Sequence, residues 1–241
     1  MSTSCALSAD GAVRMRDGKA VLGGSWASAL ALFVYAAAFS FAYVSLTAAT
    51  GALLLFGAVQ TTMIGFGVYR GERFQARQAM GLACALAGRV GLLLPGLSAP
   101  ALQGSVLMLA AGVAWGVYSL RAAGSGDPLR VTAGNFLRAV VSAALLSLST
   151  LSWGGLLDEA GVGFAMASGV LASGIGYAIW YTALPGLKVT SAATVQLSVP
   201  VIAAVGGIVL IGEPVTLRFL IASTAILGGI ALVIVRKKRA T

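Results

Sequence analysis

The sequence predicts an all-α polytopic membrane protein of about eight transmembrane helices, and three observations carry that prediction. The first is composition: of 241 residues, 59% are hydrophobic and only 10% are charged. Soluble domains hold about 25% charged residues, and so few charges cannot cover a water-facing surface. The second is the length of the apolar runs, which repeatedly reach the roughly 20 residues needed to cross about 30 Å of hydrocarbon. The third is placement: nearly all of the 16 basic and 7 acidic residues lie between those runs or in the terminal tails. Together these exclude a soluble enzyme, a disordered chain and an outer-membrane barrel, whose strands read as short alternating segments.

In chain order, residues 1–25 form a polar tail in which Asp10, Arg14, Arg16, Asp17 and Lys19 leave no apolar core for a cleavable signal peptide. Eight spans follow, at about 26–47, 49–69, 78–95, 105–122, 134–153, 162–184, 191–211 and 219–235. Turn or charge signals separate them: Ser45 to Thr50, Arg70 to Arg77, Pro95 to Gly104, Arg121 to Arg130, Gly154 to Gly161, Pro185 to Lys188 and Gly212 to Arg218. The break at Ser45 is the slightest, but one helix through both spans would be about 66 Å long, too long for a bilayer. Residues 236–241 are a basic tail.

Eight crossings put thirteen Lys and Arg residues on the side of the N-terminus and one, Arg218, on the other. That asymmetry follows the positive-inside rule and predicts a multi-pass protein of the inner (plasma) membrane with both termini cytoplasmic. Arg138, taken as one turn into the fifth span, snorkels to the same side. Arg89 has no such exit. It either extends to the external surface, being about six residues from Pro95, or holds an anion. The net charge of +9 does not indicate nucleic acid, because no basic face with interleaved aromatics can be drawn. Cys5 and Cys84 have no paired spacing and histidine is absent, so no disulfide, metal or cofactor is expected.

Sliding the chain against itself by 141 residues aligns Gly71, Glu72, Arg77, Leu86 and Gly88 with Gly212, Glu213, Arg218, Leu227 and Gly229. By the charge tally Glu72 is cytoplasmic and Glu213 external, so the two copies are inverted, the arrangement of many secondary transporters. The stretch Val189 to Glu213, the preceding Ala178-Ile-Trp-Tyr-Thr-Ala-Leu184 and the first-half Tyr69-Arg-Gly-Glu-Arg-Phe74 resemble the drug/metabolite transporter superfamily, EamA type. The resemblance covers about residues 26–236. It implies two inverted five-helix repeats around a central cavity. Measured against that pattern the chain is an incomplete, three-plus-five version: a partial first repeat at 26–95, lacking the first two helices, and a second repeat at 105–235. Val59 stands where the second copy has Pro200, so a proline-broken helix is expected in the C-terminal half only.

Few residues offer chemistry. Glu72 and Glu213 read either as gating or ion-coupling carboxylates or as helix ends in the headgroup layer. Gln60 and Gln196 are amides in apolar helices, costly unless paired or wetted; each is a substrate hydrogen-bond site or a tie between helices. Gln196 is favoured because it precedes Pro200 by four residues, where backbone carbonyls are freed. Trp115 and Tyr118 share a helix face, as do Tyr177, Trp180 and Tyr181. Trp115 and Tyr177 suit an aromatic pocket for an apolar or amphipathic solute; Tyr181 reads as interfacial belt. Gly112-x3-Gly116, Gly65-x-Gly67, Gly174-x-Gly176 and Gly206-Gly207 are small-residue packing faces.

No Asp, Glu or His lies mid-span, and no nucleophile–base pair or metal cluster can be assembled, so the protein is not expected to be an enzyme. The expected function is a secondary transporter, an exporter of a small metabolite or amphipathic compound working by alternating access. The alternative is a membrane fragment or partner subunit that transports nothing by itself. The expected partners are a small-molecule substrate and the lipid bilayer, with a homodimer or a partner subunit left open.

Overall fold

The structure, a computed structural model, describes residues 23–73, 75–94, 101–122, 127–152, 158–206, 208–209 and 214–234. Gly212 and Glu213, and the terminal tails before residue 23 and after residue 234, lie outside the described residues. All regular structure among the described residues is helical. α1 (Trp26–Ala42) begins at Ser25, whose side chain accepts from the Ser28 N–H. It ends short of residue 47, and α2 (Ala48–Tyr69) starts at once, with Thr47 accepting from the Thr50 N–H. Gly71 turns the chain at φ +87°, a conformation open to glycine. α3 (Ala76–Leu93) and α4 (Leu102–Ala122) follow near their expected places.

α5 (Pro128–Ser152) starts well before residue 134. Asp127 Oδ1 accepts from the Leu129 N–H at 2.9 Å, and Pro128 occupies the first helical position. Arg138 therefore lies nearly three turns into the helix rather than one. Its Nη1 donates to the Gly23 carbonyl at 2.7 Å, which ties it to the start of α1.

The expected sixth span is not one helix. It runs as α6 (Glu159–Ala167), a π-helical stretch (Ser168–Ile175), α7 (Gly176–Ala183) and a 3-10 turn (Leu184–Gly186). The π-helical stretch holds Ser168, Gly169, Ser173 and Gly174, residues that hold α-helical geometry weakly. The seventh is also divided: α8 (Val189–Val195), a 3-10 turn (Gln196–Ser198) and α9 (Val199–Gly206). α10 (Leu217–Ile234) completes eight rods among the described residues. Five are long and apolar enough to cross a membrane, namely 48–69, 102–121, 128–150, 159–186 and 189–206; α1 and α10 are apolar but shorter.

α4 packs against α1 and α2, α5 against α1, and α8 against α2. Gly112 and Gly116 make the α2–α4 approach possible: a Cβ on Gly112 would lie 2.6 Å from the Ala58 Cβ, and one on Gly116 2.9 Å from the Thr62 Cβ. α3 and α10 form the tightest pair. A Cβ on Gly81 would meet the Gly229 carbonyl at 2.6 Å, and one on Gly88 the Ala222 carbonyl at 3.0 Å. The pair therefore runs antiparallel. Offset by 141, Gly81 maps to Ala222 and Gly88 to Gly229, so each contact is the image of the other. Cys84 Sγ lies 3.5 Å from the carbonyl of Ala225, its own counterpart. This is the contact pattern that a twofold exchanging the two copies requires.

Candidate functional site

The 3-10 turn before Pro200 and the helix that follows the π-helical stretch bring side chains to one place. The 3-10 turn before Pro200 carries Gln196, 6% exposed. Its carbonyl accepts from the Val199 N–H, three residues on, in place of an α-helical partner. Its side-chain Oε1 accepts from Trp115 Nε1 of α4 at 2.9 Å, and Nε2 donates to Met63 Sδ of α2 at 3.2 Å. A sulfur acceptor is weak, so one side of this amide is only loosely satisfied.

Tyr177, just beyond the π-helical stretch, packs at a tilt against Trp115 with ring centroids 4.8 Å apart. Tyr35 of α1 meets the same indole at 5.0 Å, and Phe136 of α5 meets Tyr177 at 5.5 Å. Three of the expected site residues, Gln196, Trp115 and Tyr177, thus come together, with Tyr35 and Met63 added from the first copy. Neither of those stood out in the sequence, because aromatic and apolar residues are abundant there. A cavity of about 560 Å³ adjoins the cluster, lined by Tyr35, Phe39, Phe136, Ser168, Ser173 and Tyr177 among others. That volume is in the range of small-molecule sites.

Gln60 does not join the cluster. It is buried on α2 one turn from Met63, and its Nε2 has no hydrogen-bond partner among the described residues. Tyr181 is 3% exposed and meets Tyr118 edge-on at 5.4 Å, so it belongs to the core and not to an interfacial belt.

Glu72 neither lines the cavity nor faces outward. Its two carboxylate oxygens accept from the Val189 and Thr190 N–H groups, each at 3.2 Å, and so satisfy the start of α8 from the other half of the molecule. Gly67 lets Thr190 and Glu72 approach, since a Cβ there would lie 3.0 Å from Thr190 Cγ2. Beside α1, Asn135 is fully buried; its Oδ1 accepts from the Ser25 N–H at 2.9 Å, while Arg121 Nε donates to Ser28 Oγ at 3.2 Å. These ties pin the start of α1 to α4 and α5.

Arg89 does not extend to the surface. It is 2% exposed, with its guanidinium 4.1 Å from the Phe56 ring centroid of α2 and Nη2 donating to the Ala52 carbonyl at 3.0 Å.

Comparison with known proteins places this architecture. Residues 102–235 match the model of the EamA-like transporter family. The chain is 58% identical over 212 residues to Uncharacterized protein PA1977 of Pseudomonas aeruginosa, covering 88% of this chain and 73% of that one. A solved crystal structure superposes with a TM-score of 0.70 at 22% identity, covering 87% of this chain and 74% of the other, a likeness of fold. With more than half the chain matched by the family model and a relative so similar over most of its length, this chain belongs to the EamA-like transporter family of multi-pass membrane proteins.

Proposed function

We propose that this chain is a secondary transporter that exports a small metabolite or amphipathic compound across the inner membrane by alternating access, with both termini cytoplasmic. One observation carries the reading. Helices from both sequence copies deliver Gln196, Trp115, Tyr177, Tyr35 and Met63 to one point, where two of the rods depart from α-helical geometry beside a cavity. Discontinuous helices at the junction of inverted repeats are where such carriers hold their solutes. The loosely satisfied Gln196 amide offers hydrogen bonds, and the ring faces of Trp115 and Tyr177 take an apolar body. Gln60, with its idle Nε2, is a further candidate one turn along α2.

In this reading the Glu72 carboxylate holds one end of the path closed, and the outward-to-inward swing breaks its two bonds to α8. The topology is checked with single cysteines at Gln75 and Thr216 in a background carrying Cys5→Ser and Cys84→Ser. These two positions stand at opposite ends of the antiparallel α3–α10 pair, so an impermeant reagent should label them from opposite sides. Transport is checked in proteoliposomes over a metabolite panel. Gln196→Ala, Trp115→Ala and Tyr177→Ala should each slow uptake at unchanged membrane abundance; normal kinetics in all three would move the site elsewhere.

A second reading, that the chain works within a larger assembly, is favoured by α6. None of its residues is buried, and Phe164 and Met166 are 78% and 66% exposed. Co-purification of a stoichiometric partner or of a second copy would favour it over a self-sufficient carrier.

A further inference from the structure

Arg89 is the charged group that the site above leaves unused. It faces inward from α3, and its side chain is held from α2 alone, by the Phe56 ring and the Ala52 carbonyl. Nε and Nη1 are buried, and neither has an acceptor among the described residues. The described carboxylates are engaged or distant: Glu72 at α8, Asp127 with Arg130, and Asp158 with Glu159 at the start of α6. A guanidinium enclosed in apolar surroundings, with idle donors and no counter-ion among the described residues, is a standing attraction for an anion.

Its surroundings connect it to the cluster. The Tyr43 ring packs against Gly51, the neighbour of Ala52. From Tyr43 the rings continue along one face of α1, to Phe39 at 4.7 Å, Tyr35 at 5.6 Å and then Trp115 at 5.0 Å. A cation therefore stands at one end of an aromatic track, and the neutral Gln196–Trp115 pair stands at the other.

We infer that Arg89 receives the carboxylate of an organic-acid substrate whose apolar body lies along the Tyr43–Phe39–Tyr35 track. The inference rests on the transporter reading above and narrows its substrate class. Guanidinium suits such a partner, because its charge-assisted hydrogen bonds to carboxylate are about twice as strong as neutral ones. Both idle donors are enclosed in this conformation, so the acid reaches them as α2 and α3 part during the cycle.

The test uses the full chain in phosphatidylcholine vesicles and two radiolabelled probes of the same shape, phenylacetate and its neutral amide, phenylacetamide. Phenylacetate should bind about tenfold more tightly than phenylacetamide, as expected when a charged group loses its partner. That preference should vanish in Arg89→Gln and persist in part in Arg89→Lys. Equal binding of the two probes to the unaltered chain, a comparison that needs no variant to fold, overturns the inference and leaves the transporter reading standing. A preference that survives Arg89→Gln also overturns it. Binding of neither probe brings down the aromatic cavity as a solute site, and the inference with it. Adding phosphatidylglycerol distinguishes a lipid headgroup from a free acid: if it abolishes the Arg89-dependent preference, the guanidinium serves lipid and the inference fails.

Discussion

α2 and the α8–α9 rod are copies of one helix, 141 residues apart, and they have come to differ at their middle and at their start. α2 runs unbroken for 22 residues, with Val59 fully buried at its centre. Its counterpart holds Pro200 at the matching place and breaks into a 3-10 turn over Gln196–Ser198. α2 is started by its own Thr47, whereas α8 is started by Glu72 from across the molecule. The continuous copy is a wall against which α4 packs. The broken copy presents a polar side chain to the aromatic cluster, and its start depends on the other half staying docked. A pair of related helices has thus diverged into one that is continuous and locally capped and one that is broken and capped from the opposite half.

The largest expected effect comes from giving α2 the break that its partner has. Val59→Pro removes an N–H from the helix interior and drives the ring toward the Leu55 carbonyl, the same carbonyl against which Gly112 is packed. No room for a kink exists there, so the variant should lose about 3 kcal/mol or more, read as a fall in thermal unfolding temperature in detergent. Retained stability would mean that packing against α4 does not forbid a symmetric break. Next in size is Glu72→Ala, which leaves the Val189 and Thr190 N–H groups without their carboxylate. A loss of about 2 kcal/mol, the upper range for a helix cap, is expected, with Glu72→Gln in between. The same substitution should raise cysteine labelling inside the cavity, because the closed end is held less firmly. Thr47→Ala should cost only about 1 kcal/mol and leave that labelling unchanged, since its cap is local to α2. If Thr47→Ala and Glu72→Ala open the cavity equally, the distinction between the two starts is wrong.

Much of this contrast is legible in the sequence, for reasons that also mark where legibility stops. Apolar run length and charge placement locate eight rods, because hydrocarbon thickness is an external ruler. The proline at 200 against valine at 59 foretells which copy breaks. Trp115, Gln196 and Tyr177 stand out because polar and aromatic groups in apolar helices need partners. What the sequence hides is contact over distance. That Glu72 caps α8, 117 residues away, has no local signal. Arg89 reads as reaching the external surface or holding an anion until α2 is seen to enclose it, and Tyr181 as belt until Tyr118 is found against it. The early start of α5 is a different kind of miss. Asp127 and Pro128 are a start signal that lies inside the charged break from Arg121 to Arg130.

The smallest effect on stability, and the sharpest on the site, is expected from Pro200→Ala. Proline in a helix interior is costly, but Pro200 is the second residue of α9, where no intrahelical N–H bond is forfeited. Stability should therefore change by less than about 1 kcal/mol. The consequence lies one turn upstream. The Gln196 carbonyl is now taken by the Val199 N–H, and an alanine at 200 supplies a competing N–H four residues on. Capture by that donor would wind the 3-10 turn into continuous α-helix, making this copy resemble α2. The Gln196 side chain would rotate with its backbone, and its 2.9 Å bond from the Trp115 indole would be strained or lost. The expected reading is a shift in Trp115 fluorescence, isolated by replacing Trp26, Trp153 and Trp180 with phenylalanine, together with weaker solute binding at nearly unchanged unfolding temperature. An unaltered spectrum in Pro200→Ala would show that the packing around Gln196, and not the proline, holds the broken turn in place.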